Sequence, residues 1–313
     1  MRRVGALLVA VALAVCAPVV AGCGLGEGEE RAGSASIRIT RDFGRTLLGA
    51  ASVARVREGQ TVMRLLRSKF DVETRFGGRF VQSIDGLEGR GAGGEVDWLY
   101  FVNGVEAGEG AAEYELSPGD RVQWDYRPWD VAMRVPAIVG AFPEPFLHGL
   151  EGRRRPVRVE CEDADAPVCA EAKERLQAVG VSPSGASIGA PGTETVTRLV
   201  VARWPRARIV RGAAGLEEGP EETGVFARFA RGRRVLELLD EEGQVARRVE
   251  PGEGVGLVLA MRPRAEELVW LVTALDERGL EAGVRALRAD RLRDAFAVAV
   301  TGRTVEKLPL VAR

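Results

Sequence analysis

Apolar and polar positions repeat with two different periods along this chain. In residues 59–70, GQTVMRLLRSKF, the residues Val62, Leu65, Leu66 and Phe70 recur at helical spacing. Thr61 stands where an N-cap is needed, so the pattern predicts a short amphipathic helix. The period then drops to two. The run 97–103, DWLYFVN, ends at Asn103-Gly104, the dipeptide that best tolerates the positive φ values of a type I′ hairpin turn. A second turn is predicted at Ser117-Pro118-Gly119-Asp120. After it Val122, Trp124 and Tyr126 alternate with Arg121, Gln123 and Asp125, which puts the large apolar residues on one face of a strand. A helix combined with antiparallel strands predicts a small β-rich α+β domain over residues 37–130.

Prolines punctuate the next stretch of chain. Pro136, Pro143, Pro145 and Pro156 fall in an apolar setting, which excludes a regular helix or a central strand. Residues 131–155 therefore read as an extended connection that packs against one or both neighbours. Beyond it come a strand at 157–161 and a helix at about 168–179, with Cys169, Ala172, Leu176 and Val179 on one face and Gly180 as its C-cap. A strand at 198–203 completes a βαβ-like opening. Strands are predicted at 225–229, 235–239 and 245–249. The continuous apolar runs 257–261 and 268–275 read as strands covered on both faces. Leu280, Val284 and Leu287 mark a helix before a last strand at 296–300. Residues 156–313 are thus expected to form a mixed α/β sandwich, and they resemble no characterised family.

Composition changes this picture mainly by exclusion. The 313 residues carry 44 Lys plus Arg against 45 Asp plus Glu, one His and four Cys. So even a balance excludes a polybasic nucleic-acid binder. One His and four Cys exclude most His-built zinc sites. Only Lys69, Lys173 and Lys307 are lysines, a compositional bias in which arginine, the better bidentate partner, carries nearly all the positive charge.

The N-terminus supplies a location. Met1-Arg2-Arg3 precedes an apolar run over 4–20 and then Ala21-Gly22-Cys23, the order of a charged region, a hydrophobic region and a small-residue cleavage site. Residues 1–22 are expected to be an export signal. Val20-Ala21-Gly22-Cys23 resembles the lipobox of bacterial lipoproteins, which implies that Cys23 becomes the lipid-bearing first residue of the mature chain. Palmitate-class chains at Cys23 would each contribute about 0.8 kcal/mol per buried methylene and hold the protein on the extracytoplasmic face of the cell membrane. Residues 23–36, rich in Gly, Glu and Ser, read as the lipidated cysteine and a flexible tether. In that compartment Cys161 and Cys169 are expected to form a disulfide.

The segments GQTVMRLL, FVQSIDGLEG, DWLYFVNG and GAAEYELSPGDRVQWDY, in that order, resemble the transcobalamin-like C-terminal domain, a small β-grasp-like module of vitamin B12 carriers and bacterial surface proteins. The resemblance covers about residues 53–130. It implies a fold in which helix 59–66, turn 83–86, hairpin 98–104 and strand 119–124 build one domain. It also implies non-covalent capture of a small ligand, with a cobalamin-like corrinoid or another vitamin as the expectation, passed on to a membrane transporter. The helical barrel that completes the site in the vitamin carriers has no counterpart in this sequence. No tightly held cofactor is expected, and nucleic acid is not an expected partner.

Trp98 and Tyr100 share one face of their strand, Trp124 and Tyr126 share one face of theirs, and Trp129 follows at the domain edge. If that face is open, these rings with the turn residue Asn103 make a platform for a planar or sugar-like ligand. If it is covered, they are core. They are the expected ligand-binding set. His148 is the only imidazole and lacks a nucleophile elbow, so a local capping role is expected for it and no enzyme activity. The acidic residues Glu160, Glu162, Asp163 and Asp165 lack calcium-loop spacing, and the glycine cluster 86–94 is not followed by a phosphate-binding helix. Two other classes stand beside ligand capture. One is an envelope module that holds a protein or glycan partner without a pocket; the other is a hydrolase in the second half.

Overall fold

The computed structural model describes residues 30–90, 95–232 and 234–312. Cys23 and the export signal therefore lie outside the described residues. Two long strands open the fold, β1 (Glu30–Arg41) and β2 (Thr46–Arg57), paired antiparallel. The stretch expected to be tether thus enters a strand at Glu30, because residues 30–36 find partners along β2. Next come α1 (Val62–Arg67), β3 (Val72–Arg75), β4 (Phe80–Ile84) and β5 (Leu87–Glu88). The first half ends with β6 (Val96–Val102), β7 (Val105–Glu106) and β8 (Arg121–Pro128).

Local chemistry accounts for these boundaries. The Thr61 side chain accepts from the Arg64 amide at 3.2 Å and caps α1. Asn103 and Gly104, at φ 52° and 78°, turn β6 into β7, as a primed hairpin turn requires. At 117–120 the Asp120 carboxylate accepts from the Ser117 amide at 2.7 Å. The main sheet runs β2-β1-β8-β6-β7, with β1 and β8 parallel and the other neighbours antiparallel. β3, β4 and β5 make a separate small sheet. Val62, Leu65 and Leu66 of α1 and Val81 and Ile84 of β4 share one core cluster with Trp98 and Trp124.

The second half comprises β9 (Val157–Cys161), α2 (Pro167–Gln177), β10 (Ser184–Ser187), β11 (Thr197–Arg203), α3 (Trp204–Ala207) and α4 (Pro220–Thr223). A three-stranded sheet of β12 (Ala227–Phe229), β13 (Leu236–Leu239) and β14 (Val245–Val249) follows. The chain finishes with β15 (Val255–Arg264), β16 (Glu267–Ala274), α5 (Glu277–Arg285), α6 (Ala289–Leu292), β17 (Ala297–Thr301) and β18 (Thr304–Leu308). Seven strands form one mixed sheet in the order β10-β9-β11-β16-β15-β17-β18. Alternate residues of its strands divide between two cores. Val159, Leu199, Trp270 and Val298 cluster with Leu176 of α2 and Leu280 of α5, while Val200, Leu257, Leu271 and Ala299 cluster with Phe229, Leu236 and Leu238 of the three-stranded sheet. The molecule is β-rich and built from several sheets. A disulfide joins Cys161 to Cys169, with Cα atoms 6.0 Å apart, and pins the end of β9 to the first turn of α2.

The halves are not separate beads. Phe43, from the β1–β2 turn, is 2% exposed and packs edge-on against Phe226 and Phe296 at 4.8 and 5.3 Å between centroids. Phe101 of β6 meets Phe296 in the same way. Each such ring contributes about 1.5–3 kcal/mol by leaving water. Gly44 completes the turn at φ 72°, and a Cβ there would stand 1.6 Å from the Asp294 carbonyl oxygen, so only glycine lets the two halves approach this closely. The connection 131–155 is buried between them at Val135, Ile138, Val139, Phe142 and Phe146. Among the described residues no helix is long and apolar enough to cross a membrane.

Candidate functional site

The aromatic residues sit in cross-strand register. Trp98 faces Tyr126 and Tyr100 faces Trp124 across β6 and β8, with ring centroids 5.2 and 4.8 Å apart. The face is covered by α1 and the β3–β5 sheet. Trp98 and Trp124 are 4% and 3% exposed. Three of the four polar tips are tied down as well: Trp98 Nε1 donates to Leu87 O, Tyr126 to Glu88 O and Tyr100 to Glu109 O, at 2.9, 3.0 and 2.6 Å, while Trp124 Nε1 is buried without a partner among the described residues. Burial pushes the Tyr100 hydroxyl far above its ordinary range, with Glu109 adding to the rise. The expected open platform is therefore the core layer of the first half. Trp129, half-buried, lies just past β8, where its amide donates to Glu95 O. Asn103 is fully engaged in structure: its Nδ2 donates to Asp120 and to Gly149 O, both at 2.8 Å, and its Oδ1 accepts from the Arg121 amide.

The opposite face of the same strands is buried too, although its residues are polar. Asp125 accepts from Thr40 Oγ1 at 2.6 Å, Gly44 N at 2.8 Å and Phe43 N at 3.0 Å. Burial still dominates these bonds and pushes its carboxyl up to about 6. Arg127 donates to the carbonyls of Ala132 and Pro128 at 2.8 and 3.0 Å and lies 5.6 Å from the Phe43 ring centroid. Its guanidinium is drawn down to about 10 by the same desolvation, against the pull of Asp125 and Glu106. Asp294, between α6 and β17, is the joint of the seam. Arg38 grips its carboxylate through Nε and Nη2, Gln123 donates to its carbonyl at 3.1 Å, and its amide reaches Gly140 O.

Where this seam reaches solvent it opens into a cleft of about 630 Å³. Register explains its floor. Across β2, β1 and β8, Ser52, Ser36 and Arg121 form one row and Ala50, Arg38 and Gln123 the next. The small side chains of β1 and β2 leave the space, and the arginines edge it. Gly140, Ala141 and Phe142 of the connection form one wall with His148, and Ala289 and Arg293 of the second half form another. Arg121 donates one Nη1 bond to Phe142 O at 2.9 Å. No carboxylate lies within ion-pair distance of Arg121 or Arg293 among the described residues. Guanidinium groups in that state suit a carboxylate or phosphate, which they can engage with two parallel bonds.

His148 borders this cleft. Its ring lies over Gly119, where an added Cβ would come within 2.4 Å of it, and Gly119 holds φ 95°. Nδ1 is 2.6 Å from Glu144 Oε1, and the His148 amide donates to Glu144 Oε2 at 2.8 Å. Glu144 is completely buried. The carboxylate thus fixes both the backbone and the ring, a local cap with no hydroxyl or thiol nucleophile among the ring's partners. No group of three or more His, Cys, Asp or Glu among the described residues is placed to hold a metal ion. The acidic residues beside the disulfide turn instead to arginine: Glu160 pairs with the buried Arg198 and Glu162 with Arg203.

Sequence reading did not find the cleft residues Arg38, Arg121 and Arg293. Arg121 falls on the polar face of the β8 pattern, but nothing near Arg293 distinguishes it from other arginines; only the fold brings it to the cleft.

Residues 59–127, from just before α1 to β8, match a domain of unknown function (DUF4430). The match lies within the span that resembles the transcobalamin-like domain. No curated protein matches the chain. Solved structures do, among them the crystal structure of a candidate metal-binding protein from Ruminococcus gnavus ATCC 29149, which is 14% identical, has a TM-score of 0.26, and covers 31% of this chain and 97% of its own.

Proposed function

We propose that this protein is an extracytoplasmic lipoprotein, anchored through Cys23, that captures a small anionic ligand non-covalently in the cleft between its halves. The observation that carries the reading is the pair Arg121 and Arg293, one from each half, edging a serine-floored cleft without carboxylate partners among the described residues. The strand order β2-β1-β8-β6-β7 with its parallel central pair supports a β-grasp-like, transcobalamin-like reading of the first half. Helices α2 and α5 on one face of the seven-stranded sheet and a small sheet on the other support the mixed α/β sandwich reading of the second. A corrinoid remains the ligand class implied by the resemblance. Its support moves from the aromatic rings, which are core, to the cleft, where its phosphate and amide groups would meet arginine and serine. Delivery to a membrane transporter follows from capture at the membrane surface.

The test is a thermal-shift and calorimetric screen of the chain from residue 24, which keeps every described residue, against cyanocobalamin, carboxylate-bearing vitamins, dicarboxylates and cell-wall sugars. A ligand present at a hundred times its dissociation constant stabilises by about 2.7 kcal/mol. The expected result is a hit that loses about tenfold in affinity in both Arg121→Ala and Arg293→Ala, the scale of one charge-assisted contact. Binding indifferent to both arginines would overturn the cleft as the site. Silence from every class would shift the reading to an envelope protein- or glycan-interaction module. Fatty-acid labelling that persists in Cys23→Ala would remove the anchor.

A further inference from the structure

Across α6 from the cleft lies a second concavity. Ala289 and Arg293 face the cleft, whereas Arg288 and Arg291 line a groove of about 640 Å³ on the other side. Arg175 of α2, Arg285 of α5 and Arg303 of the β17–β18 turn bring the arginines that line it to five. Ala282 and Ala286, one turn apart along α5, with Val300 and Val305 give the groove an apolar floor.

The charges are unevenly matched. Arg175 pairs with Glu171 at 2.7 Å, Arg285 with Glu281 at 3.4 Å and Arg288 with Asp290 at 3.0 Å. Arg291 stands 3.9 Å from the already engaged Asp290 and donates Nη1 to Arg303 O at 3.1 Å. Arg303 has no carboxylate within ion-pair distance among the described residues. Five cations against three anions leave a positive excess concentrated on Arg291 and Arg303. A merely solvated helix face would not need a concave apolar floor beneath its charges. The three existing pairs are partly or largely exposed, and solvent-exposed pairs of this kind are weak, so an incoming anion can share or displace them at small cost.

We infer that this groove is a binding site for a phosphate-bearing anion, distinct from the ligand cleft. A phosphoryl group offers several oxygens at once, matching guanidinium groups that converge from α2, α5, α6 and the β17–β18 turn better than a single carboxylate does. The apolar floor would take the carbon skeleton attached to it. The phosphoryl group can belong to a soluble compound or to a lipid headgroup, and the two arms of one experiment separate these sources. In one, the chain from residue 24 is titrated with inorganic pyrophosphate by calorimetry. In the other, it is sedimented with phosphatidylcholine vesicles with and without phosphatidylglycerol.

Saturable binding in at least one arm is expected, weakened by added salt and lost by about tenfold or more in the double variant Arg291→Glu, Arg303→Glu, with the melting temperature held. Pyrophosphate binding alone assigns a soluble phosphate; vesicle binding that requires phosphatidylglycerol assigns a headgroup. Arg67→Glu, on α1 of the other half, is the control for a charge reversal made away from the groove and is expected to leave binding unchanged. The inference is overturned if neither probe binds, if the double variant binds as well as the parent, or if Arg67→Glu weakens binding equally. None of these outcomes bears on Arg121 or Arg293, so the cleft reading stands or falls separately.

Discussion

The two faces of the five-stranded sheet are made by alternate residues of the same strands, yet they are closed by different means. On one face Trp98, Tyr100, Trp124 and Tyr126 are roofed by α1 and the β3–β5 sheet, all from the same half. On the other, Thr40, Gln123, Asp125 and Arg127 are roofed by residues of the connection and the second half, including Ala132, Asp294 and Phe296. Both are dry. The difference teaches that a polar alternation reports which residues share a face and not whether that face meets water; a polar face can be buried when most of its groups are matched, here with Arg127 Nε left over among the described residues.

The hardest blow to this arrangement should come from Arg127→Ala. It removes the cation that offsets the buried Asp125 carboxyl, leaves Glu106 with Arg134 alone at 3.7 Å, and frees the carbonyls of Ala132 and Pro128. Loss of a buried charge partner costs about 3–5 kcal/mol. Urea unfolding should show it as a lower midpoint, and an unchanged midpoint would mean that the seam contributes little.

Asp125 sharpens the comparison through pH. Its folded carboxyl is raised to about 6 from the ordinary 3.8, so between those values the folded state holds more proton than the unfolded one. The stabilising contribution is complete below about pH 4 and disappears as pH rises through about 6, for a total of roughly 3 kcal/mol. Asp125→Asn should flatten that stretch of the stability curve. A parent profile already flat there, or a slope that survives the substitution, would contradict the assignment.

The second half can be loosened without touching the seam. Replacing Cys161 and Cys169 together by serine frees β9 from α2 and should cost about 2–3 kcal/mol, the scale expected for a short closed loop. Reducing agent should lower the melting temperature of the parent and leave that of the double variant unmoved. The smallest effect belongs to the aromatic face. Tyr100→Phe deletes one hydrogen bond, to Glu109 O, and should cost about 0.5–1.5 kcal/mol, with ligand binding in the cleft unaffected. Coupled loss of binding would place the aromatic layer back in the site.

Much of the fold was legible because it rests on local rules. Thr61 announces α1, Asn103-Gly104 the β6–β7 turn, and the apolar runs around 257–261 and 268–275 the two central strands of the large sheet. β1 and β2 were not legible: Ile37 and Ile39 are the large apolar residues of β1, and those of β2, Leu47, Leu48, Val53 and Val56, do not keep a period of two. The sealing of the two halves was hidden for a related reason. It depends on Phe43, in a turn at φ 58° that no residue preference forecasts, and on Asp294, whose partners lie more than 150 residues away in the chain. The one local hint was in β6, where Leu99 and Phe101 place apolar side chains on the face opposite Trp98 and Tyr100 and mark a strand covered on both sides. The expected aromatic site failed on a single physical point: rings aligned on one face are equally good as a platform and as a core, and only the position of β3–β5 decides between them.

The place where the chain enters has a mechanical consequence. β1 lies inside the sheet, paired along nearly its whole length with β2 on one side and, over residues 36–41, with the parallel strand β8 on the other. A pull on the segment ahead of Glu30 runs along the strand axis, so it loads the hydrogen bonds on both flanks together, in shear, and does not peel them apart one by one. Force applied at the start of β1 should therefore meet resistance as one unit, and force spectroscopy should find the first half yielding in a single high-force step.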